Sequence, residues 1–151
     1  MAAYLLGSQA LIDIARNERS AIHRWAEQVS VAADDVVVSV ASFTLFKSTV
    51  DALPVTERPT WQRLFHNALA RFKTVDGIVP VDLSIALRAA ELRTLGLETE
   101  HEGAREPLGD LTCLVAATAL ECHLTLIDSR KPYHERLEFL HGLALIDPRD
   151  A

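Results

Sequence analysis

Cysteine is scarce in this chain, with two residues, Cys113 and Cys122, in 151. So small a number excludes a disulfide scaffold, and this pair is also badly placed to bridge. Nine residues apart in a stretch that reads as one helix, the two face opposite sides about 13 Å from each other, too far for a disulfide. Both are expected to be small buried hydrophobes. The six histidines are scattered, and neither a Cys-x-x-Cys nor a His-Glu-x-x-His pair occurs, so a zinc site has no support. No apolar run approaches the roughly 18 residues that cross a bilayer, and no charged-then-apolar leader precedes a small-residue cleavage site. The expectation is a cytoplasmic protein with no membrane partner. Positive charge is also short: 15 Lys and Arg against 21 Asp and Glu leave a formal charge of -6. This argues against strong non-specific attraction to nucleic acid, whose phosphates are bound mainly through Lys and Arg. There is no internal repeat and no low-complexity tract.

What the chain does have is apolar material in short, ordered runs. Hydrophobic residues make up 49% of it, enough for one domain, residues 1–151, to bury a sizeable core. "YLLGSQALID" reads as a strand from Ala3 to Leu6 that enters a helical turn in "ALIDIARN". Ser20 is placed to cap the next helix, where Ile22, Trp25, Ala26 and Val29 share a stripe and Trp25 anchors the core. "DDVVVSV" is a β-branched run bounded by acids, the signature of an interior strand, with Asp34 and Asp35 solvated at its start. "SFTLFKSTVDAL" follows with helical periodicity and Ser42 as its cap. Trp61, Leu64, Phe65, Ala68, Leu69 and Phe72 form the stripe of an amphipathic helix, facing the core or another subunit. "GIVPVD" is short and extended, and Asp82 caps the helix "LSIALRAAELRTLG", which stops at Gly96. The charged stretch from Leu97 to Asp110 reads as a solvated loop. "DLTCLVAATALECH" is apolar on nearly every face, as a helix buried on both sides is. "LTLID" and "LALID" are strands separated by the amphipathic "KPYHERLEFLHG". Strands alternating with helices imply an α/β fold with a central parallel sheet and helices on both faces.

The order of these elements, together with "YLLGSQALID", "VVVSVASFTLFKS", "PLGDLTCLVAATALECHLTLIDSR" and the final "GLALIDP", resembles the PIN domain. The closest likeness is to the compact VapC-type toxins of bacterial toxin-antitoxin pairs. The resemblance covers nearly the whole chain. Its most specific part is "LVAATALECHLTLID", similar to the family's buried Ala-Ala-Thr-Ala helix leading into a strand. It implies a three-layer α/β/α fold and magnesium- or manganese-dependent ribonuclease chemistry. In that chemistry three or four carboxylates at the carboxyl ends of the parallel strands hold the ion that activates water. It also implies a homodimer and an antitoxin-like protein partner, with RNA as the substrate class.

The acids themselves are missing. Where the family pattern is like Tyr-Leu-Leu-Asp-Thr-Asn, this chain has Gly7, followed by Ser8 and Gln9. The family's glutamate in the helix after "SV" corresponds to Leu45, and the aspartate ahead of its Leu-Ile-Ala-Ala motif to Thr112. The last acid corresponds to Arg130, with Asp128 where a strand-ending threonine is usual. Two unit charges at 4 Å and an effective dielectric of 20 interact by about 4 kcal/mol, and a divalent ion doubles this for each carboxylate. Losing several ligands therefore removes many powers of ten in metal affinity, and Arg130 adds repulsion. The expectation is a degenerate PIN-like domain without nuclease activity or cofactor, binding a protein, RNA or an anion. Two alternatives stand beside it. One is a magnesium- or manganese-dependent endoribonuclease with a site rearranged around Asp110 and Asp128; the other is a structural subunit that uses the family's dimer contact.

Several residues near the vacated positions are candidates for lining the cleft or binding an anion. Asp110, after Gly109, reads as the N-cap of the buried helix. Asp128 ends a strand and either pairs with Arg130 or contacts a ligand. No histidine is tied to Ser8 by sequence, so its hydroxyl is expected to satisfy turn backbone. Thr112, in the first turn of its helix, bonds locally or meets an anion at the helix N-terminus. Arg130 and Lys131 bring positive charge to the cleft mouth. Arg130 either pairs with Asp110 or Asp128, filling the old site, or joins Lys131 and the helix N-terminus around a phosphate or carboxylate.

Overall fold

The structure, a computed structural model, describes residues 2–16, 18–94, 98–101 and 104–150. Strand β1 (Tyr4–Leu6) leads through Gly7 into α1 (Ser8–Ala15), followed by α2 (Ala21–Gln28). Strand β2 (Val36–Ser39) passes directly into α3 (Val40–Asp51), and α4 (Arg58–Thr74) precedes β3 (Ile78–Val79) and α5 (Leu83–Thr94). Then come β4 (Glu98–His101), β5 (Ala104–Pro107), α6 (Asp110–Glu121), β6 (Thr125–Ile127), α7 (Pro132–His141) and β7 (Leu145–Ile146). Five strands form one sheet in the order β3-β2-β1-β6-β7, and every pairing in it is parallel.

The two-residue period of the strands builds the layers. Leu5 lies opposite Val37 and Leu126, and Leu6 opposite Val38 and Ile127. Leu5 and Leu126 enter a core with Ile85 and Leu92 of α5, the alanines of α6 and Leu137 of α7. Leu6, Val38 and Ile127 face the other way, into a core with Leu11 of α1, Trp25 of α2 and Phe65 of α4. Helix α3 serves both sides, with Ala41 in the first core and Phe43 and Phe46 in the second. This is the three-layer α/β/α arrangement expected. Each fully buried Leu or Ile contributes about 1.5–3 kcal/mol. Trp25 is buried, with Tyr4 edge-on at 5.0 Å. The stripe on α4 faces the core: Phe65 stands edge-on to Phe46 at 5.3 Å and to Phe43 at 6.1 Å. Helix α6 is apolar all round because α5 and α3 both pack on it, and Ala116, Ala117 and Ala119 are buried.

Ser20 holds the N-cap position of α2, with its hydroxyl 2.9 Å from His23 Nδ1 and no bond to a helix amide, and Asp82 caps α5 as expected, its Oδ1 accepting the Ile85 N–H at 2.8 Å. Four expectations need correction. Ser39, not Ser42, caps α3 by accepting the Ala41 N–H at 3.0 Å. Because β2 turns into α3 without a loop, Ser42 lies inside the helix, buried, and its hydroxyl donates to the Leu6 carbonyl at 3.3 Å. The segment read as a solvated loop contains the antiparallel pair β4 and β5, with His101 opposite Ala104. A two-stranded ribbon satisfies its backbone across the ladder without an apolar face, so charge content does not betray it. Cys122 is exposed at the C-cap of α6, and only Cys113 is buried. Asp35 is half-buried, not solvated, and its Oδ2 accepts the Ala32 N–H at 3.0 Å. The expected stop at Gly96 lies outside the described residues.

Candidate functional site

In an open parallel sheet the natural crevice lies beyond the carboxyl ends of the strands, where the chain order changes direction. Here that point falls between β1 and β6, since β1 has β2 on one side and β6 on the other. Gly7 leaves β1 and Asp128 leaves β6 at this place. Between them and the helices lies a hollow of about 30 Å³, edged by Ser8, Leu45, Thr112, Asp128, Tyr133 and His134 and floored by apolar side chains of α6 and β6. Its volume is about one water molecule's share of the liquid.

Asp128 turns towards α1, and its Oδ1 accepts the Ala10 N–H at 3.2 Å. Burial pushes its carboxyl up to about 6, against the lowering effect of the Ser129, Ala10 and Gln9 amides and the Lys131 charge. Burial, and then the neighbouring Asp128, pushes the Tyr133 phenol up to about 12. His134 is held neutral, its imidazole lowered to about 4 by burial first and then by Arg130. Its Nδ1 accepts the Lys131 N–H at 2.9 Å.

Of the candidates from the sequence, Ser8, Leu45, Thr112 and Asp128 meet at the hollow; Asp110, Arg130 and Lys131 do not line it. Arg130 pairs with neither Asp110 nor Asp128. Its guanidinium reaches along α7 to Glu138, while its backbone N–H donates to Asp147 Oδ2 at 2.9 Å. Asp110 is the first residue of α6, behind Gly109 as the N-cap, and its exposed carboxylate pairs with Arg93 of α5. The pairing of Asp110 with Asp128 in a rearranged site is therefore not formed. Lys131 is exposed and takes the N-cap position of α7. Tyr133 and His134 were not singled out from the sequence. Pro132 at the helix start was the usable signal, since it sets the first turn of α7 beside the strand end.

Magnesium and manganese, the ions the resemblance implies, want near-octahedral oxygen coordination. The hollow offers one carboxylate, already engaged with a backbone amide, the neutral hydroxyls of Ser8, Thr112 and Tyr133, and the His134 imidazole, whose Nδ1 accepts a backbone N–H, all beside the apolar Leu45. No group of three or more His, Cys, Asp or Glu side chains is placed to hold a metal among the described residues. These residues do not fit the ion.

A second concave surface lies on the α1, α2 and α4 side. Two hollows of about 150 and 230 Å³ share Ile14, Arg71 and Phe72. Arg71, which lines both hollows, lies over the Phe72 ring at 5.9 Å, so the apolar groove carries a cation.

With this geometry in place, comparison with solved structures finds full-length matches. DNA-bound VapBC from Salmonella typhimurium superposes with a TM-score of 0.72 at 14% identity, over 98% of this chain and 99% of that one. The chain has the PIN-like fold of VapC-type toxins. FitAcB from Neisseria gonorrhoeae gives 0.70 at 18% identity, over 98% and 99% of the two chains. A toxin-antitoxin complex from Klebsiella pneumoniae gives 0.56 at 15%, over 97% and 98%. No protein-family model matches, and no curated protein matches significantly. The PIN-like fold is thus shared at 14–18% sequence identity. No helix among the described residues is long and apolar enough to cross a membrane.

Proposed function

We propose that this chain is a VapC-related PIN-like domain that does not cleave RNA and acts as a binding module for an antitoxin-like protein. The observation that carries this reading is the cleft itself. Gly7, Leu45, Thr112 and Arg130 stand at the family's acidic positions, and the carboxylate that does reach the cleft, Asp128, is turned onto the α1 backbone. Metal-assisted hydrolysis needs an ion to lower the pKa of water and to stabilise charge on the phosphate, and this side-chain set supplies too few oxygens for one. The anion-binding variant loses its main support because Arg130 is paired with Glu138 and neither Arg130 nor Lys131 lines the hollow. The groove between α1, α2 and α4 favours a protein partner. Ile14, Ala15 and Leu64, all half-buried, offer apolar surface, while the exposed Arg71 beside them suits an amphipathic segment bearing acids.

Titration calorimetry with Mn²⁺ tests the inactive cleft: no binding in the micromolar range is expected, and a micromolar dissociation constant overturns the reading. RNA degradation that needs Mn²⁺ and vanishes in Asp128→Ala establishes the rearranged nuclease instead. Self-association is favoured by a separate feature, the pair Leu83 and Leu87 one turn apart on α5, 75% and 57% exposed. Sedimentation of Leu87→Asp against the unaltered chain tests a homodimer through that face.

A further inference from the structure

Helix α1 begins at Gly7, whose extended backbone (φ -73°, ψ 174°) is that of an N-cap but which has no side chain with which to cap. An N-cap oxygen ordinarily accepts the N–H of the second or third helical residue. The third residue of α1 is Ala10, and its N–H goes to Asp128 Oδ1, 118 positions away in the chain. The space at Gly7 explains how. A Cβ built there lies 2.0 Å from Asp128 Oδ2, 2.3 Å from its Cγ and 2.7 Å from its Cβ. These are overlaps that no small rotation relieves, so a side chain at position 7 and the Asp128 carboxylate exclude each other. At its other end α1 presents Ile14 and Ala15 to the groove. A helix of eight residues is about 12 Å long and moves as one body, so its anchored head places its groove end.

We propose that Asp128 is the N-cap of α1 supplied from the neighbouring strand, that Gly7 is the emptied half of this exchange, and that the pair positions the groove wall. Its bearing on the groove rests on the partner-binding reading above; the exchange itself does not. The arrangement also accounts for the cleft: the acid at this spot is donated to backbone, and an acid restored at position 7 cannot enter while Asp128 stays.

The test is the reciprocal exchange, in three variants of the full chain. Gly7→Asp forces two carboxylates into one space and is expected to lower the folding equilibrium constant at least about tenfold. At about pH 4.5, where the Asp128 carboxyl is mostly uncharged and its burial carries no charge penalty, Asp128→Gly leaves α1 uncapped and is expected to cost about fivefold. Gly7→Asp combined with Asp128→Gly moves the cap back to its own helix and is expected to return within about threefold of the starting protein, far from the product of the two losses. Methyl resonances of Ile14 and Ala15 should shift in both single variants and return in the double. If Gly7→Asp does not fold, recovery of folding in the double variant carries the same meaning. A double variant no better than the product of the singles overturns the exchange. Compensation with unmoved Ile14 and Ala15 methyls overturns its control of the groove. Neither outcome depends on a partner, so failure to find one leaves this result readable and counts against the proposed function alone.

Discussion

Replacing Asp128 with asparagine should stabilise the protein at mildly alkaline pH. The side chain keeps its shape and an oxygen facing the Ala10 N–H, loses the charge, and exchanges one acceptor oxygen for an NH2 donor. The folded-state pKa of Asp128 is raised from 3.8 to about 6, chiefly by burial. The folded state therefore holds its proton in a window where the unfolded state has released it, and stability falls as pH rises from about 4 to about 6. Above that window the full penalty of a shift of about two units applies, about 3 kcal/mol. An asparagine amide facing backbone donors gives back about 1 kcal/mol, leaving a net gain of about 2 kcal/mol near pH 8. For a chain of this size that raises the melting temperature by about 4–8 °C. Near pH 4.5, where folded Asp128 is mostly protonated, the gain should vanish or reverse. His134 titrates in the same window with the opposite sign: its folded pKa is lowered to about 4, so its contribution is lost as pH falls. The single-protein slope thus mixes the two, and the difference between Asp128→Asn and the unaltered chain isolates Asp128. Urea denaturation of both proteins at about pH 4.5 and about pH 8 measures that difference. A variant less stable at both values by the same amount refutes the argument, since the capping bond would then outweigh the cost of the buried charge.

Phe46 is fully buried with Trp61 and Phe65 edge-on to its ring, and Phe46→Ala should cost about 3–5 kcal/mol in urea denaturation. Asp147 accepts the Arg130 N–H and three bonds from Arg149, which hold its carboxyl well below the usual carboxylate range. Asp147→Ala should cost about 2 kcal/mol at neutral pH by leaving a buried donor unpaired. That stabilisation is present above about pH 4 and is lost as pH falls further, so the gap between the two proteins should narrow in acid. Cys122 is exposed, whereas Cys113 is buried with its thiol pushed up by burial. A thiol reagent should label about one cysteine per native chain, and Cys122→Ser should abolish that rapid phase.

The fold was legible in the sequence wherever a segment's own geometry generates the pattern. Alternating apolar runs and helical stripes marked every strand of the large sheet and the helices beside it. The all-apolar "LVAATALE" announced a helix covered on both sides, as α6 is by α3 and α5. The β4 and β5 ribbon was not legible, because its charged sequence carries no periodic apolar signal. At the cleft, the neutral Gly7, Leu45 and Thr112 were equally readable, since each sits at a strand end or within a helix that its own segment marks. Tyr133 and His134 were not, since their place in the hollow depends on how α7 docks.

From the amino-acid order alone came the alternation that makes a parallel sheet with helices on both faces, because it is a property of short segments. Tertiary structure alone decided what became of the acid that reaches the cleft. Ala10 and Asp128 lie 118 residues apart, and they meet only because β1 and β6 are neighbours in register, with Leu6 opposite Ile127. A shift of one residue in that register turns the side chain to the opposite face. The pairing of Arg130 with Glu138 was settled in the same way, by the direction in which α7 leaves the strand end. Local spacing dictates which groups exist at the mouth of the sheet; the meeting of distant strands dictates whom they bind.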